Sequence, residues 1–317
     1  MKKNNEMQCA WIRWQNFKKM LPSLIFLCGL CGDFVSFLNA QEDIPQPTYA
    51  NVAYGPDERN VMDVWIPQGM DDKAPFPCVL YIHGGSWING DKSEPFKKFK
   101  YIQTFLPEGI AVASINYRLM GKHPFPAPLN DAARAMQFLK YKSQEWKINK
   151  NKIAVGGQSA GGCSSLWLAF VDDLADAKSD DPVAHESTRP VCVFVTQAQS
   201  TLDPKQMVEW TGNDVVYKHA MIKTVFGYPD TAKDPDGSLV KKYSPAAQFG
   251  AGDPPILFGS SGKETPPAEG DTNHAIHHPG FSTGLQALAE KAGVPFTKIS
   301  KPKDTIGFLK KHLLENP

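Results

Sequence analysis

The sequence has almost no excess of either charge. It holds 34 Lys and Arg residues against 33 Asp and Glu residues in 317, for a formal net charge of +1. Proteins that bind nucleic acid or an anionic surface through electrostatics carry a basic excess. The charge balance therefore gives no support to a nucleic-acid partner. No internal repeat is present, and the hydrophobic content of 42% is ordinary for a globular chain.

Cysteine is also scarce. Three of the six cysteines lie in the first forty residues, and the others are Cys78, Cys163 and Cys192. These last three, two in apolar runs and one in a helical pattern, are an odd number and do not suit a disulfide framework or a metal site. We expect these three side chains to be small buried hydrophobes.

The N-terminal segment differs from the rest of the chain. Lysines and an arginine precede an apolar run over residues 21–38, which ends in Leu38-Asn39-Ala40 before a polar stretch. A basic region, an apolar region and a small residue at the cleavage point are typical of a secretory signal peptide. The run is interrupted by Asp33 and is only marginally long for a membrane span. We therefore expect cleavage after Ala40, and contact with a membrane only through this segment if it stays uncleaved.

The segment pattern divides the chain into a signal peptide over residues 1–40, a linker over 41–50 and one domain over 51–317. This organisation predicts a secreted or periplasmic protein. About 270 residues are enough for one α/β domain with a sizeable core.

Short apolar runs alternate with amphipathic segments along this domain. Residues 78–82 and 110–116 are typical of buried strands, and apolar residues spaced three and four apart predict a helix over 129–146. Such alternation predicts an α/β fold with a doubly wound, mostly parallel sheet flanked by helices. Residues 197–243 are rich in Pro, Gly and Asp, and we expect an irregular excursion above the sheet that is a candidate cap over the site.

A glycine-rich turn lies at the centre of this pattern. Gly157-Gln158-Ser159-Ala160-Gly161 follows an apolar strand and precedes a helix, which fits the G-x-S-x-G nucleophile elbow. The serine of such an elbow has a strained backbone, and glycines beside it let strand and helix approach closely. The helix N-terminus would direct its free N–H groups at an oxyanion formed at Ser159.

A second glycine pair follows an earlier predicted strand. His83-Gly84-Gly85-Ser86 is typical of the loop that donates a main-chain N–H to the oxyanion in enzymes with a nucleophile elbow. The amides of Gly84 or Gly85, together with that of Ala160, are the predicted oxyanion hole. We expect His83 to hold the loop by hydrogen bonding rather than to act as a base.

Several segments together resemble one family. The chain resembles α/β-hydrolases of the BD-FAE-like and hormone-sensitive-lipase-like esterase group. The matching segments are HGGSWINGDKS (His83–Ser93), INYRL (Ile115–Leu119), HPFPAPLNDAARAMQFL (His123–Leu139) and NKIAVGGQSAGG (Asn151–Gly162). The resemblance implies an α/β-hydrolase fold, a small-molecule ester substrate, no metal or organic cofactor, and a triad in the order serine, acid, histidine.

The acid has three candidates. The family places it about nine residues after the Pro-Pro that opens the penultimate strand, and that spacing falls on Glu264. Asp271 lies in the same loop. Asp203 follows the preceding strand, where some hydrolases carry the acid.

The histidine departs from the family pattern. The family's base precedes a Gly-Phe pair after the last strand, and Ile306 stands there. An isoleucine cannot accept a proton, and a serine needs an adjacent base to become a useful nucleophile. His277 and His278 lie in the long loop after the predicted acid strand, beside His274, and a triad is defined by geometry rather than by chain order.

Two functions follow from these residues. The first is a serine-dependent carboxylic ester hydrolase acting on small acyl or carbohydrate-linked esters, with His277 or His278 as base. The alternative is a catalytically degraded hydrolase that binds a ligand without efficient turnover. A third histidine, His312, belongs to a closing helix and is not expected to act.

Overall fold

Eight short strands form the framework that positions the candidate site. The computed structural model describes residues 45–97, 103–226 and 237–315. The predicted signal peptide and the first part of the predicted linker lie outside these residues. The strands are β1 (Tyr49–Ala53), β2 (Val61–Trp65), β3 (Phe76–Ile82), β4 (Ala111–Ile115), β5 (Ile148–Gln158), β6 (Val193–Thr196), β7 (Ile256–Gly259) and β8 (Phe296–Ile299).

The strands form one sheet in the order β1-β2-β4-β3-β5-β6-β7-β8. Strand β2 is antiparallel to both β1 and β4, and every pair from β4 to β8 is parallel. All residues of β3 and β4 are buried, as strands covered on both faces require. The predicted doubly wound, mostly parallel sheet is therefore confirmed. Its parallel strands bring the loops after β3, β5, β6 and β7 to one edge.

Ten helices connect or cover these strands within the described residues. They are α1 (Glu94–Lys97), α2 (Ala127–Tyr141), α3 (Ala160–Phe170), α4 (Pro204–Thr211), α5 (Ala220–Phe226), α6 (Ser238–Tyr243), α7 (Pro245–Gln248), α8 (Thr272–Ile276), α9 (Gly280–Ala292) and α10 (Thr305–Lys310).

The segment over residues 197–243 is more regular than the sequence predicts. It contains α4, α5 and α6 rather than an irregular excursion, although residues 227–236 are outside the described part. The helices have six to eight residues each, too few for a clear helical periodicity in the sequence. Asp203 caps α4 by accepting hydrogen bonds from two main-chain amides, and Pro204 occupies the first helical position.

The three cysteines of the domain are buried and unpaired, as predicted. Burial raises the pKa of each thiol well above its ordinary value, because the charged form loses its hydration. They therefore behave as hydrophobic core residues. Within the described residues, every helix is too short or too polar to cross a lipid bilayer.

Candidate active site

Ser159 lies on the sharp turn between β5 and α3. Its backbone has φ 51° and ψ −124°, a conformation that L-residues rarely adopt. The flanking glycines are needed for close packing. A Cβ atom on Gly157 would lie 2.5 Å from the carbonyl oxygen of Ile82, and one on Gly161 would lie 2.1 Å from the same oxygen. The geometry is that of a nucleophile elbow, with the serine side chain above the carboxyl end of the sheet.

His277 is the residue that meets this serine. Its Nε2 atom lies 2.9 Å from Ser159 Oγ, and its Nδ1 atom lies 3.1 Å from the main-chain carbonyl oxygen of Asn273. A carbonyl only accepts, so Nδ1 carries the proton and Nε2 is left as the acceptor for the serine hydroxyl. Burial lowers the pKa of His277 below its ordinary value of 6.5, and the Asn273 carbonyl opposes this in part. The ring is therefore neutral at neutral pH.

His278, the other predicted base, is occupied elsewhere. It is buried, its Nδ1 accepts the main-chain N–H of Gly280 at 3.0 Å, and its Nε2 lies 3.2 Å from the carbonyl oxygen of Thr265. Both ring nitrogens are thus used to hold the loop. The expectation that His278 could serve the serine is corrected on this ground. The sequence could not separate the two neighbours, because the difference depends on where α8 ends.

The three candidate acids do not contact His277. Glu264 is exposed. Asp203 caps α4, and Asp271 caps α8 by accepting the main-chain N–H of His274 at 3.0 Å. Among the described residues, it is the Asn273 carbonyl that bonds to Nδ1 of His277, where a triad would have a carboxylate. Every residue has a main-chain carbonyl, so a sequence cannot predict that the Asn273 carbonyl bonds to His277.

The predicted oxyanion loop lies against the elbow. A Cβ atom on Gly84 would be 2.9 Å from the carbonyl oxygen of Gln158 and 3.5 Å from Ser159 Cβ. Gly85 has φ 102°, a conformation that strongly favours glycine. Ala160 is the first residue of α3, and its N–H has no acceptor within the helix. Gly84 and Ala160 therefore lie next to Ser159, and Gly85 continues the turn that follows Gly84.

His83 supports this loop, as predicted. It is fully buried, its Nδ1 lies 2.7 Å from the Gly84 carbonyl oxygen, and its ring stacks on Tyr117 at 4.2 Å between centroids. The Tyr117 hydroxyl donates to the His83 carbonyl at 2.9 Å, and Arg59 donates to the carbonyl of Gly90 at 3.0 Å. These bonds hold both ends of the glycine turn.

A cavity of about 420 Å³ opens beside His277. It is lined by Gln197, by His277 and by residues within 261–274, among them the polar Lys263 and Asp271 and the apolar Pro266 and Ala268. His219 approaches the same base from the segment before α5. Burial and the positive charge that His277 can carry lower the pKa of His219 to about 4, so His219 is also neutral at neutral pH. Its Nδ1 accepts the main-chain N–H of Met221 at 3.2 Å, which leaves the proton on Nε2.

Known proteins with similar sequences identify the family of this chain. A family model described as BD-FAE matches residues 62–267. An AB hydrolase superfamily protein of Schizosaccharomyces pombe is 35% identical over 139 residues, 43% of this chain and 40% of that protein. Esterase LipC of Mycobacterium tuberculosis is 30% identical over 188 residues, 58% of this chain and 45% of that protein. The chain thus spans less than half the length of these curated relatives.

Solved structures share the fold. A truncated carbohydrate esterase from gut microbiota superimposes with a TM-score of 0.64 at 20% identity, covering 86% of this chain and 98% of that one. An acetyl ester-xyloside bifunctional hydrolase from Caldicellulosiruptor lactoaceticus gives a TM-score of 0.59 at 24% identity, covering 87% of this chain and 89% of that one. Both likenesses are to an α/β-hydrolase fold.

Proposed function

Because the chain belongs to the BD-FAE family of α/β-hydrolases, we propose that it is a carboxylic ester hydrolase with Ser159 as its nucleophile. The observation that carries this proposal is the 2.9 Å contact between Ser159 Oγ and His277 Nε2. A nucleophile and a base within hydrogen-bond distance are the first requirement of serine catalysis.

The reaction runs in two halves. His277 Nε2 takes the hydroxyl proton while Ser159 Oγ attacks the ester carbonyl, and the amides of Ala160 and of Gly84 or Gly85 hold the negative oxygen. His277 then returns the proton to the leaving alcohol as the acyl–serine ester forms. A water molecule, deprotonated by the same nitrogen, attacks that ester and releases the acid with Ser159 restored.

Within the described part of the chain, no carboxylate orients the base of this mechanism. The Asn273 carbonyl fixes the His277 tautomer and the plane of the ring. A neutral carbonyl stabilises the imidazolium of the transition state less than a carboxylate does, since a hydrogen bond to a charged group is roughly twice as strong. We therefore expect a slower enzyme than one with a complete triad.

The substrates proposed for this site are small acyl or carbohydrate-linked esters. The relatives described as esterases and the solved structures described as carbohydrate and acetyl ester hydrolases support this class. The cavity beside His277 adds support, because Lys263, Asp271 and Asn273 in its lining carry polar groups that can bond to a hydroxylated alcohol.

Turnover of p-nitrophenyl acetate and labelling by a fluorophosphonate test the proposal together. Wild-type protein should turn over the ester and be labelled at Ser159, whereas Ser159→Ala should lose the label and nearly all turnover. Cys163→Ser, four residues along the same helix and buried, is a matched control for a change of side chain near the elbow. Wild-type protein that stays unlabelled contradicts the proposal.

A second candidate is a degraded hydrolase that binds its ligand without efficient turnover. It is favoured by Ile306 at the family's histidine position and by the lack of a carboxylate bonded to His277 among the described residues. In that case an acyl ester or acid would bind with the same affinity to wild-type protein and to Ser159→Ala, with no label on either. Calorimetry with acetate and with a sugar acetate would measure this.

We also propose export through the N-terminal segment, with cleavage after Ala40. The support is the order of its basic, apolar and small residues. N-terminal sequencing of the protein recovered outside the cytoplasm should read Gln41 first, and an intact Met1 terminus there would contradict cleavage.

A further inference from the structure

Gln199 connects the end of β6 to the candidate base. It follows the strand by three residues and is completely buried. Its Nε2 donates to the main-chain carbonyl of Ile276 at 2.7 Å. That carbonyl belongs to the peptide unit that joins Ile276 to His277.

The same peptide unit is held from its other side. The main-chain N–H of His277 donates to the carbonyls of Asn273 and His274, at 3.3 and 3.2 Å. Gln199 therefore completes the set of bonds that fixes the plane of this peptide. The His277 side chain begins at the next atom of the chain, so its direction depends on that plane.

The neighbours of the Gln199 side-chain amide determine which way its NH₂ group and its oxygen face. Its second contact is to the carbonyl oxygen of Gln197 at 3.4 Å, so both neighbours are acceptors and the NH₂ group must face them. The Oε1 atom then lies buried with no hydrogen-bond partner among the described residues. An unsatisfied buried acceptor destabilises the folded chain, because it has lost its hydration without gaining a donor. The amide thus supplies a donor to the Ile276 carbonyl while its own acceptor stays without a partner.

The backbone two residues before Gln199 has an uncommon conformation. Gln197, two residues earlier, has φ 49°, which is uncommon for a residue other than glycine. Backbone strain and unsatisfied polar atoms concentrate at functional sites. The Gln158 amide and the Ser261 hydroxyl contact the Gln197 side chain at 3.4 and 3.3 Å, so this turn lies between the elbow and the loop that carries the base.

We propose that Gln199 is a positioning residue for the serine–histidine pair. This inference rests on the proposed function, because it requires His277 to act as the base. Gln199 holds the Ile276–His277 peptide so that Nε2 stays within reach of Ser159 Oγ. It acts through His277 and has no contact with the reacting atoms.

The test compares Gln199→Met with Ser200→Ala. Methionine keeps the size of the side chain and removes the donor. Ser200 is the matched control because it is also buried, and its hydroxyl donates to the carbonyl of Phe281 at 2.6 Å, four residues beyond the base. The measurements are kcat and KM for p-nitrophenyl acetate, the rate of fluorophosphonate labelling, and Tm.

We expect Gln199→Met to lower kcat and the labelling rate by about 10- to 100-fold with KM within about 2-fold, because a displaced base loses its alignment with the hydroxyl. Ser200→Ala should lower Tm and leave both rates within about 3-fold. Wild-type rates in Gln199→Met overturn the positioning role, as does an equal loss of rate in Ser200→Ala. An unlabelled wild type overturns the proposed function instead, and the positioning role with it.

Gln199→Glu provides a second measurement if the methionine variant does not fold. A protonated carboxyl can donate to the Ile276 carbonyl, and an ionised one cannot. Rates for this variant, each divided by the wild-type rate at the same pH, should fall as pH rises through the pKa of the new carboxyl. A pH profile parallel to that of the wild type would overturn the proposal.

Discussion

Ser159 Oγ and His277 Nε2 lie 2.9 Å apart, although 118 residues separate them in the chain. The serine follows β5, and the histidine lies in the connection between β7 and β8. The family's base comes one connection later, where this chain has Ile306 at the start of α10. Because β5, β6 and β7 are parallel, the loops after them share one edge of the sheet. A histidine in the earlier connection can therefore reach the nucleophile.

Replacing His277 should remove most of the activity. We expect His277→Gln to lower kcat for a p-nitrophenyl ester by at least about 100-fold, since the serine loses its proton acceptor. His274→Gln is the matched control. His274 lies three residues earlier in α8, and its Nε2 is 2.8 Å from the Lys263 carbonyl rather than near the serine. Equal losses in the two variants would show that the loop, and not the base, has been damaged.

Neutralising the candidate acids should change little. Glu264→Gln, Asp271→Asn and Asp203→Asn should each keep kcat within about 3-fold, because none of these carboxylates bonds to His277 in the described structure. In a complete triad the corresponding change lowers kcat by about 10,000-fold. Asparagine also preserves the helix caps at the two aspartate positions. A large loss in any of the three would identify an acid that approaches the base during turnover.

The pH dependence follows from the buried base. His277 must be neutral to accept a proton, and burial lowers its pKa below 6.5. The value of kcat/KM should be constant above pH 6.5 and fall as pH drops through the lowered pKa. Steady-state rates measured from about pH 4 to 8 check this. A midpoint above 6.5 would mean that a carboxylate faces the imidazole and raises its pKa.

The free energy of unfolding should also fall as pH drops below 6.5, as kcat/KM does. Burial lowers the pKa of His277, His278 and His219, so the unfolded chain binds more protons than the native one below pH 6.5. The free energy of unfolding gains nothing from these groups above pH 6.5 and falls between 6.5 and about 4, the lowered pKa of His219. Urea denaturation at several pH values would measure the fall. His278→Phe should reduce it, because the neutral ring no longer has to charge.

The sequence predicts the nucleophile far better than its partners. The turn at Ser159 needs glycines at defined places, so its conformation is visible in the chain. From the sequence, the base can be either His277 or His278. The two side chains point in different directions because of the turn that ends α8, and a sequence does not show where that turn lies. The orienting group is the main-chain carbonyl of Asn273, which any residue could supply. Glu264 is predicted from the family's spacing between the Pro-Pro pair and the acid. That spacing applies to a histidine after the last strand, and in this chain the histidine lies in an earlier loop.

Gln199 illustrates a different limit. Its importance depends on a contact 77 residues away, with the peptide before His277. A polar residue shortly after a strand is ordinarily a surface residue, and only its burial together with an unsatisfied Oε1 indicates another role. Such a residue is found from packing and hydrogen-bond geometry, after the strands have been aligned in three dimensions.

The oxyanion loop offers the sharpest test of the elbow geometry. A Cβ atom on Gly84 would lie 2.9 Å from the Gln158 carbonyl oxygen, which is main chain and cannot swing aside. Gly84→Ala should therefore move the loop away from Ser159 and lower kcat by about 100- to 1000-fold, the loss of one oxyanion donor. Gly121→Ala is the control, since a Cβ atom there meets nothing within 4 Å. It should keep kcat within about 2-fold.

The two glycine variants separate catalysis from folding when Tm is measured beside kcat. Fluorophosphonate labelling should fall with kcat in Gly84→Ala, because the phosphonyl oxygen occupies the same hole as the ester oxygen. KM should change much less, since the oxyanion forms only in the transition state. A Gly84→Ala protein with wild-type kcat would place the oxyanion donors elsewhere. The amide of Ala160 at the start of α3 would then be the group to examine, because the helix holds it beside the serine whatever the loop does.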